Sequence, residues 1–453
     1  MEQNENPTGK TISGFSKLSK GGKIKWLVET FFNDPEVVMK ELISYWHNNE
    51  DQQKIIDGFS ENTISNFFLP YGVAPNFVIN DRPYCIPMVI EESSVVAAAS
   101  NAAKFWMTRG GFKAKVLDVQ KIGHVHFIWN GDRQKLLAAF PAFKQSLIDN
   151  THHLTTNMRK RGGGILDIQL VDFTSELAGY YQLRASFATC DSMGANFINT
   201  LLEEFSTLLI HFFRHHPGFG KKEQEVDIIM SILSNYTPDC LVRAWVDCPV
   251  EELNGVYQDM SGEEFASRFL KAVTMAKIDP FRATTHNKGI FNGIDAVVLA
   301  TGNDFRAIEA CGHTYAARSG QYRSLSDCEI VDGQFRLWLD IPLAVGTTGG
   351  LTSLHPIAKR SLELLENPNA NELMQIIAVT GLAQNFAAVK SLVTSGIQKG
   401  HMKMHLINIL NRLEASEKEV AIVISHFKDK VVSFQAVRDF LEFFRTKNSD
   451  AKV

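Results

Sequence analysis

Between residues 281 and 304 the chain reads FRATTHNKGIFNGIDAVVLATGND, and Lys288 and Asp304 stand there with little other charge around them. An ammonium among Gly, Asn, Ile and Phe is costly to desolvate unless a partner offsets it. Beside a carboxylate, such a lysine can hold positive charge over a reacting carbonyl and stabilise the oxyanion that forms. The plainer reading of a lone lysine is a solvated one. Asp304 also has an ordinary role open to it, because FRAIEA follows in helical pattern and Asp is a common N-cap.

Other residue types add to this chemistry. Glu91 and Glu92 follow the strand-like IPMVI. Alternation puts adjacent strand residues on opposite faces, so one carboxylate faces solvent while the other can enter a site as a proton donor. His401 sits in KGHMKMH, and an imidazole suits protonation of a thiolate near neutral pH. His405 lies one turn further on, but Met402 stands where an HExxH zinc motif needs glutamate. CDSMGANF, at 190–197, follows one apolar strand pattern and precedes an apolar helix. That context lets loop N–H groups and a helix N-terminus meet a pyrophosphate, although a plain left-handed turn reads the same way. The chain has no GxGxxG, which argues against a standard Rossmann domain. Gly9–Lys10–Thr11 imitates a P-loop ending, but Asn4 replaces the first glycine. The glycines of VGTTGG, at 345–350, suit close backbone packing better than phosphate binding. Cys311 with His313 leaves a covalent-cysteine chemistry open.

The elements that must position these groups follow from periodicity. Residues 1–20 form a polar tail, and Trp26, Leu27, Phe31 and Phe32 recur at helical spacing until Asn33–Asp34–Pro35. Residues 95–106 predict a helix of small residues ending at Gly110–Gly111. Strands are predicted around Val116, across Ile122–Trp129, at Ile165–Phe173 and at Tyr181–Phe187, with helices at 132–147 and 197–213. Leu406, Ile409, Leu410 and Leu413 form one helical stripe, with two short helices after it. The fold class expected is α+β. A large mixed helix/sheet domain spans 1–112 and 221–395, with a small α/β domain inserted at 113–220 and a helical flap at 396–453. Thr394–Ser395–Gly396 is the expected hinge.

Bulk composition excludes several classes. At 453 residues the chain exceeds one core. Its 46 Lys and Arg against 50 Asp and Glu give no basic surplus for nucleic acid or an anionic membrane. The six cysteines form no CxxC, which suits reduced thiols in a cytoplasmic protein. The N-terminus lacks the apolar core of a signal peptide, and no run of 18 apolar residues predicts a membrane span.

Four segments in order carry a resemblance: LPYGVAPNF with VIEESSVVAAAS at 69–100, CDSMGANFINT at 190–200, THNKGIFNGID with ATGNDFRAIEA at 285–310, and GIQKGHMKMH at 396–405. From about residue 61 to 412 the chain resembles the class II, soluble prokaryotic, 3-hydroxy-3-methylglutaryl-coenzyme A (HMG-CoA) reductases. Unlike eukaryotic members, it shows no membrane anchor. The resemblance implies interconversion of HMG-CoA with mevalonate and CoA by two hydride transfers from a nicotinamide cofactor. It implies catalytic roles for Glu92, Lys288, Asp304 and His401, with Asp304 linking Lys288 to Glu92 and His401 protonating the CoA thiolate. It implies substrate contacts from Arg282, Asn292, Ser94 and Asn235. It makes the small domain dinucleotide-binding, through Asp191, Met193, Gly194 and Asn196. It places a cofactor selector seven residues before the triple glycine at 162–164, where Thr155 stands. A neutral Thr155 with Arg159, Lys160 and Arg161 nearby implies a preference for NADPH, with NADH possible. No metal is implied. ENTIS at 61–65 stands where the family has ENVIG, differing at Thr63 and Ser65, and implies a homodimer or larger oligomer with shared sites. Two alternatives stay open: a cysteine-dependent acyl-CoA reductase, and a non-catalytic CoA-binding protein.

Overall fold

The computed structural model describes residues 10–396, 406–407, 409–427, 430 and 432–450. Three helices lead, α1 (Lys20–Phe31), α2 (Pro35–Ser44) and α3 (Glu50–Asp57), opened by Ser19, Asp34 and Asn49, whose side chains accept from first-turn N–H groups. The break after α1 falls at Asn33–Asp34–Pro35, with Pro35 opening α2. A hairpin follows, β1 (Tyr71–Ile79) and β2 (Arg82–Val89), turning through Asn80 and Asp81 at φ 49° and 68°. Helix α4 (Ser93–Met107) starts just beyond it.

The remaining strands form two four-stranded antiparallel sheets. One has the order β3-β8-β10-β9, from β3 (Lys113–Val116), β8 (Leu241–Pro249), β9 (Ser326–Val331) and β10 (Gln334–Pro342). The other has the order β5-β6-β4-β7, from β4 (Lys121–Ile128), β5 (Gly164–Asp172), β6 (Tyr180–Ala188) and β7 (Asp227–Leu233). Helices α5 (Arg133–Asn150), α6 (His152–Lys160) and α7 (Ala195–His215) accompany the second sheet. Val125, Phe127, Leu183 and Phe187 from its strands share a core with Leu202, Phe205 and Phe213 of α7. The expected break at 113 and 220 shifts accordingly. Strand β3 pairs with β8 and buries Ala114 in the larger core, while β7 pairs with β4 and packs Ile228 and Leu233 on the smaller one.

Helices α8 (Gly262–Ile278), α9 (Pro280–Ala300), α10 (Phe305–Ala316), α11 (Leu351–Leu354), α12 (Pro356–Leu364) and α13 (Ala370–Val393) complete the larger unit. Helices α9 and α13 approach closely because small residues allow it. A Cβ on Gly293 would lie 2.6 Å from the Thr380 carbonyl oxygen, and one on Gly381 2.8 Å from Ile294 Cγ1. Helix α13 has the length and apolar composition of a membrane span, but it is mostly buried against α9, α4 and the first sheet. At the C-terminal end, Leu406, Ile409 and Leu410 pack with Val423 of α14 (Glu417–His426) and with Val437 and Leu441 of α15 (Phe434–Asp450), forming a small core of their own.

Candidate active site

Helix α9 carries Arg282, Thr285, Gly289 and Asn292 on one face, at spacings of three, four and three, with Lys288 beside them. Asp279 and Pro280 fix where this helix starts, so that face is set in register against α4 and α13. Small residues of α4, Ala97 and Ala98, leave open space opposite it. The result is a cavity of about 1070 Å³ lined by Glu92, Ser94, Arg282, Lys288, Asn292, Gln384 and Asn385 among others, with Ile407 from the C-terminal segment.

Inside it, Lys288 Nζ lies 3.1 Å from Glu92 Oε2, and Ser94 Oγ donates to Glu92 Oε1 at 2.8 Å. Their side chains are 64% and 34% exposed, so the ion pair is open to water and to a ligand. Glu91 is exposed. Strand alternation is not what separates the two carboxylates, because β2 ends at Val89 and Glu92 is the N-cap position of α4. Arg282 faces the same cavity, burial lowers its pKa from the usual guanidinium value, and no described residue pairs with it. An unpaired guanidinium in a cleft is a receptor for a carboxylate.

Asp304 takes the N-cap role open to it from the sequence. Its Oδ1 caps α10 by accepting from Arg306 N and Ala307 N, and its two oxygens hold the Arg306 guanidinium at 3.1 and 3.0 Å. Burial works to raise this carboxyl, but the Arg306 and backbone donors outweigh it and hold it below the ordinary value. Lys288 and Glu92 therefore meet directly rather than through Asp304. His401 lies outside the described residues.

Periodicity missed a buried network behind the cavity. His286 Nε2 lies 2.7 Å from Ser326 Oγ and 3.0 Å from Asn385 Nδ2, and Ser326 Oγ donates to Asn385 Oδ1 at 2.9 Å. Burial, with help from Arg282, pushes the His286 imidazole down to about 3, so it is neutral at physiological pH. Gln384 turns a buried, unpartnered Oε1 beside it. The available signal was a polar Gln–Asn pair inside the apolar sequence of α13.

The loop from Thr189 to Gly194 joins β6 to α7, as its sequence context predicted. Gly194 is the N-cap at φ 88°, a conformation that favours glycine. Asp191 is partly committed: its carboxylate accepts from Ala370 N at the start of α13. Gly346 packs on this loop, since a Cβ there would lie 2.5 Å from Met193 N. That is the close backbone approach expected of VGTTGG. Asn235 lines a small cavity with Met193, Ala195, Lys121 and Cys311, away from Lys288. Asn303 Oδ1 accepts from Gly346 N, so the α9–α10 turn touches the strap that supports the loop. Thr155 is buried on the inner face of α6, its hydroxyl donating to His152 O, so it presents no surface to a ribose. Arg159, Lys160 and Arg161 are exposed, and Cys190 Sγ donates to the Arg161 carbonyl.

The covalent-cysteine alternative does not fit this geometry. Cys311 is buried against Thr237, and burial raises its thiol pKa. His313 turns instead to Tyr322 and Phe291, since positions two apart on a helix do not face each other. Among the described residues, no cluster of three His, Cys, Asp or Glu side chains is placed to hold a metal ion.

A sequence profile described as hydroxymethylglutaryl-coenzyme A reductase matches residues 31–406. The chain belongs to that family. HMG-CoA reductase of Archaeoglobus fulgidus is 36% identical over 96% of this chain and 95% of its own length. A probable HMG-CoA reductase of Borreliella burgdorferi is 31% identical over 93% and 92%. Among solved structures, HMG-CoA reductase of Streptococcus pneumoniae superposes with a TM-score of 0.70 at 35% identity, covering 96% of this chain and all of its own. A class II HMG-CoA reductase from the same organism, bound to NADPH in open conformations, matches with the same score over 91% of this chain. The chain is a class II HMG-CoA reductase by family, and reduction of HMG-CoA to mevalonate is its reaction.

Proposed function

We propose that the cavity between α4, α9 and α13 holds the hydroxymethylglutaryl group. The observation that carries this is the Arg282 guanidinium, with which no described residue pairs, facing the same space as the Lys288–Glu92 pair. Arg282, with Ser94 and Asn292 beside it, takes the free carboxylate, which leaves the thioester toward Lys288. The nicotinamide supplies hydride twice, so one HMG-CoA consumes two NADPH and two protons and gives mevalonate, CoA and two NADP⁺. Lys288 meets the oxyanion that grows on the carbonyl in each step. Glu92 donates the proton that turns the aldehyde oxygen into a hydroxyl. Asp304 joins this set by the family resemblance, while its own oxygens are held by Arg306 and the head of α10. His401 protonates the departing CoA thiolate. It precedes Ile407 by a few residues, and Ile407 lines the cavity. The C-terminal segment with α14 and α15 is the flap that carries it.

The Thr189–Gly194 loop and the start of α7 take the dinucleotide, with Asp191 setting the loop and Met193, Gly194, Asn196 and Asn235 around the ligand. The β5-β6-β4-β7 sheet with its helices is the dinucleotide-binding unit. NADPH is favoured over NADH because Arg159, Lys160 and Arg161 are exposed beside this loop and can meet a 2′-phosphate. The selector is this basic helix end rather than Thr155. Purified protein given HMG-CoA with NADPH or NADH is expected to form mevalonate, with kcat/KM at least about tenfold higher for NADPH. Absence of mevalonate by mass spectrometry with both cofactors sinks the assignment, and a preference for NADH sinks the role of the basic run.

The enzyme works as a homodimer or a multiple of it, in the cytoplasm. Free thiols at all six cysteines suit a reducing compartment. Beside the segment at 61–65, Phe67 and Phe68 are 91% and 58% exposed, and Phe281 at the start of α9 is 88% exposed. Such apolar surface next to a cavity suits a subunit interface. The segment itself is anchored, with Trp46 Nε1 donating to Ile64 O and Ser65 Oγ to Leu42 O. Light scattering at assay concentration is expected to give at least a dimer mass, and a fully active monomer refutes the shared site.

A further inference from the structure

Lys121 opens β4, its side chain is only 5% exposed, and it points under the start of α7. Its ammonium donates to Thr189 Oγ1 at 2.6 Å and to the Ser192 carbonyl at 2.8 Å. Thr189 Oγ1 in turn donates to Ser192 O, so one cation ties the start of the loop to its middle. The ionisable groups acting on Lys121 are the Cys240 and Cys190 thiols, and no described carboxylate pairs with it. Burial lowers its pKa, the expected response of a desolvated amine without a counter-charge.

Its location makes that lack more costly. A helix N-terminus carries partial positive charge and disfavours a nearby cation. Helix α7 has no acidic residue in its first turn, and its N-cap Gly194 supplies no side-chain acceptor. A buried ammonium and an uncapped helix start thus stand together, and the loop's own carboxylate, Asp191, is turned away to accept from Ala370 N. In a free protein this pairing stores unfavourable charge, which an incoming anion relieves.

We propose that Lys121 is a positioning residue for the dinucleotide: it shapes the Thr189–Gly194 loop and gives it the positive potential that draws the pyrophosphate. It acts through the loop and does not touch the ligand. This rests on the reading of that loop as the dinucleotide site.

Two substitutions separate charge from bracing. Lys121→Met removes both the charge and the donors, whereas Lys121→Gln removes the charge and keeps an N–H donor for Thr189 and Ser192. Affinity for NADPH is measured by calorimetry at several salt concentrations, with HMG-CoA affinity and melting temperature alongside. Both variants are expected to weaken NADPH binding by about tenfold or more and to flatten its salt dependence, with HMG-CoA affinity within about twofold. Recovery of NADPH affinity in Lys121→Gln, or a Kd within twofold of wild type in both, overturns the proposal. If Lys121→Met does not fold, Lys121→Gln still decides between the two outcomes. Hydrogen exchange of the wild-type loop with NADPH tests the underlying reading. No protection over 189–198 removes the loop assignment, and the proposal with it. Protection there together with unchanged Kd in the variants removes the Lys121 role alone.

Discussion

Lys288→Ala is expected to lower kcat for HMG-CoA reduction by about two to three orders of magnitude, on the order of 3–4 kcal/mol of transition-state stabilisation. The fold should not change. The Lys288–Glu92 pair is largely exposed, and such pairs contribute roughly 0–1 kcal/mol to stability. The melting temperature should therefore stay within a few degrees. The same loss is expected with mevaldehyde as substrate, because both hydride steps place charge on an oxygen that Lys288 must meet. His401→Gln should behave differently. It should impair the thioester reaction and spare mevaldehyde, which has no thiolate to release. Cys311→Ser should keep most activity, since that thiol is buried and faces Thr237 rather than the cavity. A variant set in which Cys311→Ser is dead and Lys288→Ala is active returns the case to cysteine chemistry. Equal losses of the two substrates in His401→Gln remove the thiolate role.

The sequence carried the cavity better than it carried the network inside it. Lys288 was legible from its uncharged surroundings and Arg282 and Asn292 from the family resemblance alone; that α9 brings all three to one cavity is what the structure adds. Glu92 was legible as a residue but not as a geometry. The strand stops at Val89, and a cap position rather than alternation turns Glu92 inward. Asp304 shows a local contact prevailing over a remote one. An aspartate followed by FRAI can cap its own helix and hold Arg306 two residues on, and both contacts come with little loop entropy. Thr155 was placed by counting along the chain, but α6 is amphipathic and the position falls on its buried face. Lys121 gave no sequence signal and the His286–Ser326–Asn385 network only the polar Gln384–Asn385 pair in an apolar helix, because their partners lie far away along the chain. The unit boundaries erred for the same reason. Strands β3 and β7 each pair across the break, and pairing partners are not written in a strand's own residues.

Arg282→Ala is expected to raise the KM for HMG-CoA by roughly 30- to 1000-fold, about 2–4 kcal/mol, with a smaller effect on kcat. The guanidinium is partly buried and no described residue pairs with it, so a carboxylate that binds it gives up water for a two-pronged contact. The free carboxylate of the substrate is present in thioester, aldehyde and product alike, so this contact persists along the reaction and its loss appears mainly in binding. Mevaldehyde should therefore suffer as much as HMG-CoA, which separates Arg282 from His401. Inhibition by CoA, which lacks that carboxylate, should be unchanged. Arg282→Lys should fall between, at roughly tenfold, because it keeps the charge but not the planar fork. The opposite reading is that Arg282 holds the phosphates of CoA. In that case the CoA inhibition constant rises with the KM of HMG-CoA, and mevaldehyde is reduced normally. The two patterns do not overlap, so the three substrates and inhibitors together decide which end of HMG-CoA the cavity receives.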